Sequence, residues 1–87
     1  MAGYKKTLEK VLLGTSDANI RFGDLRSMLT ALGFEERIKG GHHIFTLKGR
    51  EAALNVQPDG SKAKAYQVKQ IRQIIIEHKL ASDEEAE

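Results

Sequence analysis

The sequence predicts an α+β domain of order helix, helix, three strands, helix, in which a three-stranded antiparallel sheet is packed by helices. Apolar residues recur at helical spacing before residue 33 and after residue 66, whereas between these points the period falls to two and turn-forming clusters interrupt the chain. A length of 87 residues corresponds to one small domain, able to bury roughly 60% of its unfolded surface, so these elements must share a single core.

The first helix is expected over Tyr4 to Leu13, where Leu8, Val11 and Leu12 fall at i, i+3 and i+4 and Gly14 follows in the stop position. Thr15 to Asn19 is a run of turn formers. Ile20-Arg21-Phe22 then leads to Gly23 and Asp24, either of which would cap a second helix. Its stripe is Leu25, Met28, Leu29 and Leu32, with Phe22 as a staple ahead of it and Gly33 as its stop. Phe34 to Ile38 opens the sheet, Gly40-Gly41 makes a two-residue hairpin turn, and His42 to Leu47 runs back with Phe45 and Leu47 on one face. Lys48 to Glu51 forms a second turn, and Ala53 to Gln57 a third strand ended by Pro58-Asp59-Gly60. From Tyr66 to about His78, Val68, Ile71, Ile74 and Ile75 return to helical spacing and are expected to lie across one face of the sheet. Residues 1–80 thus read as one domain, and 81–87 as a frayed, flexible tail.

Charge is unevenly distributed. Residues 1–36 are neutral overall, 37–80 hold nine basic and three acidic side chains for a net of +6, and 81–87 carry −4. A basic body of this density suits a polyanion such as nucleic acid or an acidic protein surface, and equally an ordinary well-solvated surface. The chain has no cysteine, which excludes disulfides, thiolate nucleophiles and sulfur-ligated zinc and suits a reducing, cytoplasmic setting. Apolar runs reach no more than three residues, as at Ile74 to Ile76, so neither a signal peptide nor a membrane span is expected.

Two adjacent histidines follow the glycine pair. Neighbours in a strand point to opposite faces, so His42 and His43 cannot share one metal ion, and with His78 the only other histidine no metal or other cofactor is expected. If Phe45 and Leu47 face the helices, His43 joins them and His42 faces the open side, unless a bulge at Gly41 reverses the parity. His42 is then either an ordinary surface histidine or a proton-transfer group. Arg37, Lys39, Lys48 and Arg50 flank it, and an imidazole beside clustered cations meets the needs of RNA cleavage through the 2′-hydroxyl. Lys62, Lys64, Lys69 and Arg72 either hold phosphates near the start of the last helix or form a solvated face. Tyr66 among them either stacks on a base or caps the core.

Leu29-Thr30-Ala31-Leu32-Gly33-Phe34, the hairpin Gly40-Gly41-His42-His43-Ile44-Phe45, and Gln57-Pro58-Asp59-Gly60 running into Tyr66-Gln67-Val68-Lys69-Gln70-Ile71 resemble the HicA family of toxins. The resemblance covers about residues 22–80, leaving 1–21 as an N-terminal extension with a short helix. It implies a fold similar to a double-stranded-RNA-binding domain and a metal-independent messenger-RNA endonuclease, an mRNA interferase. The partner it implies is a HicB-type antitoxin that covers the active site. The catalytic histidine carries over onto His42. Arg37, Lys39, Lys48, Lys62 and Lys64 are then the expected phosphate-binding residues, Gly40 and Gly41 the turn, and His43 and Tyr66 secondary candidates. Gly41 stands where the family commonly has serine. The contrasting expectation is a non-catalytic RNA-binding module of the same fold.

Overall fold

The computed structural model describes residues 3–47 and 53–78. The turn at Lys48 to Glu51, Lys48 itself and the acidic tail lie outside the described residues. The first helix, α1 (Gly3–Leu13), buries Leu8 and Val11 and ends at Gly14, whose φ of 74° is a conformation glycine adopts without strain. A side chain there would also crowd Arg72, since a Cβ would meet its guanidinium at 3.3 Å. Arg72 uses that space to donate to the Val11 carbonyl at 3.0 Å and to the Asp17 carboxylate at 2.9 and 3.2 Å, so it caps α1 and holds a single 3-10 turn (Asp17–Asn19).

The second helix, α2 (Phe22–Ala31), begins earlier than Gly23 or Asp24 would have it, and no side chain caps it. A neighbouring backbone does that work: the Phe22 N–H is accepted by the Ser61 carbonyl at 3.0 Å. Phe22 is therefore the first helical residue rather than a staple ahead of the helix, and Asp24 lies in the first turn, where the helix dipole favours an acid.

The sheet is the antiparallel meander the alternation predicts, with strands β1 (Phe34–Lys39), β2 (His42–Leu47) and β3 (Ala53–Val56) in that order. Register pairs Phe34 with Leu47, Glu36 with Phe45, Ile38 with His43 and Lys39 with His42, and β3 sets Val56 against His43 and Leu54 against Phe45. One face therefore carries Phe34, Phe45, Leu47, Leu54 and Val56, all buried. The segment after β3 is not a simple turn. It forms a second, two-stranded hairpin, β4 (Pro58–Asp59) and β5 (Lys62–Ala63), whose backbone bonds to Ile20 and Phe22.

The last helix, α3 (Ala65–Glu77), buries Val68, Ile71 and Ile75, with Ile74 half-buried at the edge of the same core. It shares this core with the buried face of the sheet, as the sequence predicts, and also lies against the 3-10 turn and α1, while α2 packs on α1 and β1. Residues 3–21 are not peripheral, because Leu8, Val11 and Ile20 belong to the one hydrophobic core. No described helix is long and apolar enough to cross a membrane.

Glu36 and His43 are polar members of the covered sheet face. The Glu36 carboxylate takes two bonds from Arg26, at 2.7 and 2.9 Å, and lies 2.7 Å from His43 Nδ1, joining α2 to the first hairpin. The Arg26 guanidinium, and after it His43, hold this carboxyl below its ordinary range against the opposing effect of burial. A lowered carboxyl pKa stabilises the fold above the unfolded value, near 4.3, and the contribution disappears as pH falls through the native value. Urea unfolding between neutral and acid pH should thus show wild type losing stability more steeply than Glu36→Gln, with the two converging at the acid end. Parallel pH profiles would refute it.

Candidate active site

The Gly40-Gly41 turn fixes where the histidines go. The φ angles of 56° and 87° are those of a type I′ turn, whose twist matches a tight hairpin, and the register continues through it without a bulge. The parity therefore stands. His42 lies on the open face with Arg37, Lys39, Ile44 and Asn55, and His43 on the helix side. Open space surrounds both glycines, so only their φ demands glycine. Gly41→Ala is expected to cost about 1–2 kcal/mol by chemical denaturation, while Gly40→Asn costs less because asparagine tolerates this turn.

His42 is half-buried and held by two carboxamides. Its Nδ1 lies 3.2 Å from Asn55 Oδ1, and Gln57 Nε2 is 2.9 Å from Nδ1 and 3.3 Å from Nε2. Nδ1 cannot donate and accept at once. With Nδ1–H donated to Asn55, the Gln57 amide is left to Nε2 at the longer distance and Nε2 is the basic nitrogen; with Nδ1 accepting the shorter Gln57 contact, the proton sits on Nε2 instead. Gln57 is oriented in turn by Lys64, whose Nζ donates to its Oε1 at 3.4 Å.

Behind this pair stands Gln67, buried on α3. Its Nε2 donates to the Asn55 carbonyl at 3.0 Å and its Oε1 accepts the Gln57 N–H at 2.9 Å, so one side chain fastens α3 to the two residues that hold His42. Asn55, Gln57 and Gln67 were not among the residues expected from the sequence. The signals for them are the alternation of Asn55 and Gln57 with buried Leu54 and Val56, and a polar residue at position 67 on the apolar face of a helix.

The expected cations separate. Lys39 is directly across the strand pair from His42, Arg37 is its diagonal neighbour on the same face, and Lys64 reaches the site through Gln57. Lys62 instead turns to the 3-10 segment, donating to Asn19 Oδ1 at 3.1 Å. His43 is 2.7 Å from Glu36 and edge-on to Phe22 at 4.8 Å between ring centres, so it braces the hairpin from the other side of the sheet. Tyr66 stands on the first turn of α3, 56% exposed, beside Asn55 and Gln57. Among the described residues no three His, Asp or Glu side chains gather as a metal set.

The open sheet face thus brings together an imidazole and the cations Arg37, Lys39 and Lys64, and Tyr66 stands at the neighbouring β3 edge. Compared with protein-family models, with curated proteins and with solved structures, the chain matches none.

Proposed function

We propose that the domain is a metal-independent endoribonuclease acting on messenger RNA in the cytoplasm, the toxin of a toxin-antitoxin pair, with His42 as its general base. The observation that carries this reading is an imidazole on an open face, held between the Asn55 and Gln57 carboxamides and bordered by Lys39, Arg37 and Lys64. The order α2-β1-β2-β3-α3, with the small β4-β5 hairpin inserted before α3, supports a fold like that of a double-stranded-RNA-binding domain.

In this mechanism the Gln57 amide gives up Nε2 to a ribose 2′-hydroxyl. Nε2 takes the proton, the 2′-oxygen bonds to phosphorus, and the bond from phosphorus to the 5′-oxygen breaks. Lys39 and Arg37 bear the charge that builds on the phosphoryl oxygens. The leaving oxygen is protonated by Lys39 or by water, and the products are a 2′,3′-cyclic phosphate and a 5′-hydroxyl. A HicB-type antitoxin would silence the domain by covering this face.

The test is incubation of mixed-sequence RNA with pure protein in excess EDTA, followed by analysis of fragment ends. Cyclic phosphate ends that require the 2′-hydroxyl are expected. RNA that is bound but left intact would make the domain a non-catalytic RNA-binding module.

A further inference from the structure

Between the edge of β3 and the first turns of α3 runs an open groove of about 570 Å³, with Asn55, Gln57, Tyr66, Gln70, Gln73 and Ile74 along its walls. Its chemistry differs from that of its surroundings. Among the described residues that line it none is charged, although Lys64 bonds to Gln57 at its rim and Arg37 and Lys39 occupy the adjoining sheet face.

A phosphate gains little in a neutral groove. A nucleobase gains from both of its aspects: its flat face can stack on the exposed Tyr66 ring, and its polar edge can meet carboxamides, each of which presents a donor beside an acceptor. The division into a neutral groove and a cationic flank therefore matches the division of a nucleotide into base and phosphate.

We propose that this groove receives one unpaired nucleobase of single-stranded RNA, stacked on Tyr66 and read along its polar edge by Asn55, Gln70 and Gln73. The inference rests on the ribonuclease reading above and narrows its substrate to a single strand, because a base inside a duplex has both its edge and its faces occupied. Asn55 and Gln57 belong both to the groove and to the contacts of His42. A base seated here thus brings its own ribose, or the next one, to the imidazole, and base choice in the groove becomes choice of cleavage site.

The test uses a short labelled single-stranded RNA, and the same sequence as a duplex, titrated by fluorescence anisotropy with His42→Ala protein so that nothing is cut. Adding Tyr66→Ala should weaken single-strand binding about 5- to 150-fold, the range for loss of one stacked base. The slope of log affinity against log salt should stay unchanged, because no phosphate contact is removed. Tyr66→Phe should bind as its parent does. In the active protein, Gln70→Ala should alter which base flanks the cleaved bond. Tyr66 and Gln70 are both exposed, and circular dichroism verifies that these variants fold.

An unchanged affinity and cleavage pattern in Tyr66→Ala, or a duplex bound as tightly as the single strand, overturns the groove alone if wild type still cuts. Loss of affinity for an antitoxin but not for RNA assigns the groove to a protein segment and also overturns it. A wild type that neither binds nor cuts RNA removes the ribonuclease reading first, and the groove with it.

Discussion

His42→Ala is expected to lower RNA cleavage by about a hundredfold to ten-thousandfold, the usual contribution of a positioned acid or base, while unfolding at the temperature of wild type. The second half of this expectation follows from the sheet. His42 is on the face opposite the core, and its polar contacts are to Asn55 and Gln57, both of which water can serve once the ring is gone. His43→Ala is the complement: it removes a half-buried ring from Glu36 and Phe22, and should lower stability while cleavage per folded molecule is preserved. Cleavage by each variant, read beside its thermal unfolding, separates the two. If His43→Ala loses the chemistry and His42→Ala the stability, the assignment is inverted.

Gln67→Leu is expected to destabilise the domain by about 2–3 kcal/mol and to lower cleavage as well. Leucine fills nearly the same volume, so packing is largely kept. What it leaves behind is a backbone N–H at Gln57 and a carbonyl at Asn55 whose partners were the two ends of one amide, and an unmet buried backbone group costs about 1–3 kcal/mol. Those groups belong to the residues that orient His42, so the loosened strand edge also loosens the base. Urea unfolding and single-turnover cleavage of the variant provide the check. A Gln67→Leu protein as stable as wild type would mean that water already satisfies this edge.

The placement of His42 was legible in the sequence because alternation fixes faces once one residue is anchored, and Phe45 and Leu47 anchored β2. Asn55 and Gln57 obey the same alternation, yet their meeting with His42 depends on how β3 registers against β2, across a connection whose residue types define no particular turn. Lys62 and Lys64 looked alike in sequence, two residues apart in one basic stretch. The hairpin β4-β5 sends one toward Asn19 and leaves the other at the start of α3, and its pairing with residues 20–22 is a long-range event that local composition does not encode. Capping failed as a guide at Phe22 for the same reason, since the group that satisfies its N–H comes from Ser61.

Arg72 joins α3 to the Val11 carbonyl 61 residues earlier and to Asp17 55 residues earlier. For a chain made from its N-terminus onward, α1 is thus secured only after every later described element has begun to form, because both of these partners must wait for residue 72. Closing so long a loop also carries a chain-entropy cost that only the finished core offsets.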